Sequence, residues 1–384
     1  MAVNNKQKSG KVIFIAFFLF SLKTLAEENE YTQKVIFDDV SLVIATENNM
    51  SPSSAMGHSF LKISGNGYEH AFSYYAVLDG FFSYLKTLAG IADGAYILSP
   101  YAKKASDYLL TENRSLWEFE LNLNKEEKSK LKQLIWEKKD KNDSYSFISY
   151  NCSSALENLL SFVNKDFKYQ RTKLFTTPVE YAQFLYQKEK IKKISFVRSP
   201  SLKKQKVKNI LKSKPPSRLA LETGYIEFSP VYQDLRSISD AHNTEMETKM
   251  LAVRLSFKDE VHFDKLDLLT LLAVQPLSKY LNIGYEHGWK AEFGIGKGYD
   301  KNRFSCYALA IGGGRKNNAF IGIQTGIIQR FSDKAKAILS YETSTDKNIF
   351  SVYFGISLGK NTEIYTQYRH DDNEEGVLGL ALYF

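Results

Sequence analysis

Two residues of this chain carry side chains suited to nucleophilic acyl chemistry: His58, in Gly57-His58-Ser59-Phe60-Leu61, and Cys152, in Tyr150-Asn151-Cys152-Ser153-Ser154. A thiolate attacks an ester or amide carbonyl, and an imidazole within hydrogen-bond reach takes the thiol proton. The other cysteine, Cys306, lies in a stretch of different character, so a disulfide would need a contact between domains and Cys152 reads as a free thiol. After Cys152, the residues Ala155, Leu156, Leu159, Leu160 and Val163 trace one apolar face, which predicts a helix starting at the cysteine. A thiolate there is stabilised by the positive end of the helix dipole, and backbone N–H groups at the same end suit a tetrahedral oxyanion. Asn151 reads as the cap of that helix or, with Ser153, as support for the oxyanion.

The histidine begins a strand-like run. His58 to Ser64 alternates, Gly65-Asn66-Gly67 follows, and Tyr68 to Ala76 resumes the alternation, so the two runs read as a hairpin with His58 at its start. Resemblance to papain-like thiol sites, which supply the group that orients the imidazole from the strand after the histidine, implies a third residue on the second strand. With a two-residue turn Ser73 or Tyr75 shares the side of His58; with a three-residue turn His70 or Tyr74 does. Ser73 ranks first for this role and His70 second. Further on, Asn124 and Glu127 have the spacing of a capping box, and Leu131, Leu134 and Ile135 predict a helix over 125–139.

Other chemistry is not signalled. His242, His262, His287 and His370 are widely separated, and neither a His-Glu-x-x-His spacing nor a phosphate-binding glycine pattern occurs. No metal, nucleotide, other cofactor or nucleic-acid partner is expected, and Gly312-Gly313-Gly314 reads as a turn at a strand end. The net charge of +8 is concentrated between Lys188 and Lys214, where Lys192, Lys193, Lys203, Lys204, Lys206 and Lys208 face one acid, Glu189. That stretch reads as a solvated basic linker, with contact to anionic lipid headgroups as the alternative.

Residues 1–26 combine Lys6, Lys8 and Lys11, the apolar run Val12 to Phe20 and the small-residue ending Thr24-Leu25-Ala26, the pattern of a secretory signal peptide. Residues 27–190 mix helix and strand signals, 191–216 form the basic linker, and 217–384 turn to period two. The 24 Tyr and 26 Phe fall heavily in strand-like segments. About ten to twelve strands of membrane-crossing length are expected. The final one sets Leu378, Leu380, Leu382 and Phe384 on one side, with Gly379 and Ala381 on the other. Tyr353, Tyr365, Tyr368 and Tyr383 read as an aromatic girdle. The location expected is the outer membrane, with the first domain in the periplasm.

Three motifs in order, Ser53 to Leu61, Glu112 to Leu123 and Tyr150-Asn151-Cys152, resemble those of the Lnb-type periplasmic domain family. The resemblance covers most of residues 40–185 and implies an α+β fold of the permuted papain-like kind, in which the histidine strand precedes the cysteine helix. It implies His58 as base and Cys152 as nucleophile, the latter forming a thioester with an acyl chain as in lipoprotein N-acyltransferases. Phospholipid or lipoprotein acyl groups are then the expected partners, with outer-membrane lipid around the barrel. The family's acyltransferases join this domain to transmembrane helices, whereas here a barrel is expected to follow, which leaves the acyl acceptor open.

Two other functions fit the same residues. One is a cell-wall peptidase or amidase of the NlpC type, with the same thiol in a polar cleft. Phe81, Phe82, Tyr84 and Leu85 favour an apolar groove and so an acyl chain. The other is a non-enzymatic barrel with an N-terminal plug or binding module.

Overall fold

The computed structural model describes residues 35–48, 56–77, 86–87, 90–169, 176–200, 208–238, 245–258, 260–301, 303–371 and 374–384. The signal-peptide segment, Ser53 to Ala55 of the first motif, the aromatic run Phe81, Phe82, Tyr84 and Leu85, Lys203, Lys204, Lys206 and His242 lie outside the described residues.

Alternation of apolar and polar residues builds an antiparallel sheet from β1 (Asp39–Ala45), β2 (His58–Gly65), β3 (Tyr68–Ala76), β4 (Ala92–Pro100), β5 (Leu116–Leu121), β6 (Asn142–Tyr145) and β7 (Ile191–Val197). Their order across the sheet is β6-β4-β3-β2-β1-β5-β7. The helices among the described residues include α1 (Tyr101–Ser106), α2 (Lys125–Lys138), α3 (Cys152–Val163) and α4 (Pro178–Gln187). Helices α2 and α3 fall where the apolar spacing predicts them, and both begin in full capping boxes, at Asn124 and Asn151. β7 corrects the linker expectation: residues 191–197 pair with β5 and extend the sheet.

The sheet has two unlike faces. Leu42, Ile44, Leu61, Ile63, Phe72 and Tyr74 form one core with Leu131 and Ile135 of α2, Ala155, Leu156 and Leu160 of α3, and Tyr181 and Leu185 of α4. On the other face Val43, Ala45, Phe60, Ala71 and Leu116 pack under Tyr101 and Tyr108, which come from α1 and the turn after it. Strand alternation assigns each residue of β2 to one face or the other.

Beyond residue 217 the strands close on themselves. Arg218–Glu222 pairs with the last strand, Glu374–Tyr383, and with Tyr225–Ser229, which in turn pairs with Met246–Ser256. With the ten strands from Met246–Ser256 to Glu374–Tyr383 this makes an antiparallel barrel of twelve, at the upper end of the expected range. Trp289, Phe293, Ile321, Phe331, Phe350 and Leu378 stand exposed on the outside, while Glu247, Lys249, Glu292, Arg315 and Arg369 line the inside. An apolar exterior around a polar interior, closed so that no strand edge is left over, is the arrangement that spans an outer membrane.

Alternation also corrects the girdle. Tyr368 faces outward, but Tyr353, Tyr365 and Tyr383 are buried in the interior core with Tyr232, Leu235 and Tyr307. The outward aromatics include Trp289, Phe293, Tyr299, Phe304, Phe331, Phe350, Phe354 and Phe384. Gly379 is small because a Cβ there would sit 2.3 Å from the Tyr365 ring. Gly312 to Gly314 are likewise not a turn: they continue the strand Phe304–Arg315, and a Cβ on Gly313, at φ +152, would meet the Ala291 carbonyl oxygen at 2.1 Å.

Residues 234–238 fold inward across the end of the barrel that carries both chain ends. The fully buried Lys336 ammonium donates to the carbonyls of Leu235 (2.7 Å) and Ser237 (3.0 Å) and to Glu245 (2.9 Å). Glu363 accepts from the Ile238 N–H, from Lys214 and from the Tyr383 hydroxyl, at 2.6, 2.6 and 2.7 Å. Arg236 bonds Asp234 and, across the lumen, Gln367. Towards the opposite end Arg315 pairs with Glu292, Glu342 and Asp346. The lumen is therefore cross-braced, with 234–238 as a strap over one mouth.

Candidate functional site

Cys152 is the first residue of α3, and the sequence around it explains its setting. The Asn151 side chain accepts from the Ser153 and Ser154 N–H groups at 3.0 and 3.1 Å, and the Ser154 hydroxyl accepts from the Asn151 N–H at 2.7 Å. Asn151 is thus the helix cap, the first of its two expected roles. Its amide also donates to the carbonyls of Phe147 (3.1 Å) and Thr176 (3.2 Å), tying the preceding and a distant loop to the helix start. Cys152 and Cys306 are both free thiols, and Cys152 is 6% exposed.

The helix is registered on the sheet by a polar contact. The Ser153 and Ser59 hydroxyls lie 3.2 Å apart, both fully buried, and the Cys152 Sγ lies 4.0 Å from the Ser153 Oγ. Ser59 thus marks the strand position beneath the thiol. Ser59 shares its face with Leu61 and Ile63 and, on β3, with Tyr74, Phe72 and His70. On the same side of the sheet tyrosines cluster: Tyr74 packs on Tyr145 at 5.6 Å and edge-on to Tyr150 at 5.4 Å, and Tyr96 and Tyr150 share a 2.8 Å hydroxyl contact. Burial holds the Tyr145 phenol well above its ordinary range, with the charge that Cys152 would carry as a further cause. Tyr145 lies outside the three motifs and Ser59 inside the first beside His58; the hairpin register and the helix contact give Ser59 its place in the site.

His58 is the first residue of β2, as the alternation predicts, and Gly65 pairs with Tyr68 across a two-residue turn, Asn66-Gly67. That register puts Ser73 and Tyr75 on the side of His58, and His70 and Tyr74 on the other. The imidazole stacks on Tyr75 at 4.6 Å and 13°, near Phe60 and Tyr108, on the face opposite α3. Its Nε2 is buried with no hydrogen-bond partner among the described residues, and so are the Ser73 Oγ and Tyr75 hydroxyl. Burial, with Lys104 and Arg114 close by, holds His58 well below the usual histidine range, so the ring is neutral at pH 7.

The structure therefore brings together Cys152, Asn151 and Ser153, and separately His58 and Ser73, but not the two groups with each other. His58 neighbours Ser59 in the chain, yet its ring points through the sheet from the thiol. His70 shares the thiol's face but pairs with Ile63 and Pro100, four residues from Tyr74 and so ~13 Å along the strand. Burial lowers its basicity too.

The domain sits against the barrel. Residues 210–217 are pinned to both: Ile210 lies in the domain core, Gln183 of α4 donates to the Leu211 and Ser213 carbonyls, and the Ser217 hydroxyl donates to the Pro230 carbonyl. Met56, Phe147 and Ile148 pack against Val231, Met250, Leu269, Leu271 and Leu281. Alternation with the inward-facing Lys249, Leu272, Tyr280 and Asn282 places Met250, Leu269, Leu271 and Leu281 on the outer wall.

A closed, apolar-walled barrel joined to an α+β domain at the end where both its chain ends lie defines the class: an outer-membrane protein with a periplasmic domain. Residues 27–187 match the model of the Lnb N-terminal periplasmic domain. Among solved structures the chain is similar to the KdgM porin in complex with oligogalacturonate, at 11% identity over 44% of this chain and 97% of that one, with a TM-score of 0.32. It is also similar to a loop-deleted OmpT of Vibrio cholerae, at 9% identity over 90% and 96%, TM-score 0.23. A third likeness is to an anion-selective porin from Comamonas acidovorans, at 11% identity over 90% and 97%, TM-score 0.22. At such scores the barrel assignment rests on the strand pairing itself. No curated protein matches the chain.

Proposed function

We propose that the periplasmic domain is a thiol-dependent acyl-transfer enzyme of the permuted papain-like kind, held beside lipid by its barrel. The observation that supports this most is Cys152 itself: a buried free thiol at the first position of a capped helix, with the Tyr145 phenol close enough to feel its charge. The cap takes the Asn151, Ser153 and Ser154 N–H groups and leaves that of Cys152 to donate to a tetrahedral oxyanion, and an aromatic neighbour such as Tyr145 suits an acyl chain better than a peptide.

In the proposed reaction the neutral His58 takes the thiol proton and the thiolate attacks the ester carbonyl of a phospholipid. The carbon–oxygen bond breaks, the imidazolium protonates the leaving alcohol, and a thioester remains on Cys152. An amine or water then attacks the thioester and releases the thiol. The structure has His58 turned away, so the reading requires its side chain to leave Tyr75 and cross to the Ser59 side. It starts from a place suited to that: His58 is the terminal residue of its strand, and Gly57 before it holds φ +80. Ser73 then stays behind on the far face of the sheet. The experiment is transfer of a labelled acyl chain from phospholipid to Cys152 in vesicles containing the protein. A thioester on Cys152 is expected; a folded protein that never acquires one overturns the reading.

A further inference from the structure

The loop that leads into α3 is an apolar rim. Phe147 and Ile148 follow β6, and with Met56 they rest on the outer wall of the barrel. The wall patch beneath them is continuous with the lipid-facing belt, because Leu281 pairs directly with Phe293, which is 64% exposed. Beside the rim the domain leaves two aliphatic side chains uncovered, Val77 at 50% and Ile91 at 71% exposure. They belong to the same end of the sheet: the Val77 N–H donates to the Asp93 carbonyl, the Ile91 N–H to that of Lys86, and the Phe147 N–H to that of Thr87. Lys86 itself is exposed.

Apolar side chains that emerge next to a surface already immersed in lipid, with a lysine at their margin, have the composition of an interfacial membrane contact. We infer that Val77 and Ile91, with the rim Met56-Phe147-Ile148, dip into the headgroup and acyl boundary of the periplasmic leaflet of the outer membrane, and that phospholipid is what covers them. The barrel fixes the domain's position, and the lipid completes its burial. Since Asn151 bonds the Phe147 carbonyl, the lipid-facing loop is tied directly to the start of the cysteine helix. The contact surface does not depend on the thiol chemistry proposed above, and its test is run without either native cysteine.

In a Cys152→Ala, Cys306→Ala background, single cysteines are introduced by Val77→Cys, Ile91→Cys and, as a reference, Phe162→Cys, and each is labelled with bimane. Phe162 is 78% exposed on α3, ten residues past Cys152 and away from the rim. The full chain is folded into phosphatidylcholine–phosphatidylglycerol vesicles whose acyl chains are brominated near the headgroup. Labels at 77 and 91 are expected to lose about half their fluorescence relative to unbrominated vesicles, while the label at 162 is unchanged. Equal quenching at all three sites overturns the inference. The unsubstituted chain supplies a second reading: a photoactivatable phospholipid is expected to cross-link at Val77, Ile91, Phe147 and Ile148, and cross-links no denser there than in 158–169 contradict it.

Discussion

The hydroxyls of Ser59 and Ser153 meet at 3.2 Å between strand and helix, and this contact sets the thiol of Cys152 over the end of the strand that begins with His58. Both serines are fully buried, so each satisfies the other's polar atom where water does not reach.

Replacing either serine by alanine leaves a buried hydroxyl facing methyl. Ser59→Ala and Ser153→Ala are each expected to cost about 1–2 kcal/mol in urea unfolding, and the double variant less than the sum. Additive losses would mean that the two hydroxyls do not depend on each other.

Acid should destabilise the periplasmic domain through its histidines. Burial lowers the basicity of His58 and His70 in the folded state, so the unfolded chain binds protons first as pH falls. The stability tied to their neutral form is fully present above the unfolded value near pH 6.5 and is lost as pH drops below it towards the folded values. Unfolding free energy measured between pH 7.5 and 5 is expected to fall, and His58→Gln to flatten that slope. An unchanged slope would assign the pH dependence elsewhere.

The strap predicts a barrel that does not conduct. Lys336 holds the Leu235 and Ser237 carbonyls and Glu245 together inside the lumen. Lys336→Met removes the charge that these groups share, a loss of about 3–5 kcal/mol for a buried ionic network. Planar bilayers are expected to show no steady current for the wild type and flickering conductance for the variant. A wild-type barrel that conducts freely would mean the strap leaves the mouth open.

Much of this architecture is legible in the residues, and what is not has a physical reason. Period two with Asn66-Gly67 yields the hairpin, and with it the side on which Ser73 and Tyr75 fall; the apolar spacing after Cys152 yields α3. Alternation cannot say which face of the sheet a helix covers, so the separation of the His58 ring from the thiol appears only in three dimensions. The same limit misplaced Tyr353, Tyr365 and Tyr383, since period two separates two sides of a strand without naming which is the lumen. The strap is unreadable for another reason. Asp234 to Ile238 look like an ordinary polar turn, and their burial depends on Lys336 and Glu363, about a hundred residues or more downstream.

The central claim, that Cys152 is an acyl-accepting nucleophile, is tested most directly by folding the protein into vesicles that contain phospholipid with a radiolabelled acyl chain, then digesting it and mapping the label. Label is expected on the peptide carrying Cys152, released by neutral hydroxylamine as a thioester is, retained in Cys306→Ser, lost in Cys152→Ser and strongly reduced in His58→Gln. Label that persists in Cys152→Ser, or a folded wild-type protein that takes up none, would contradict it.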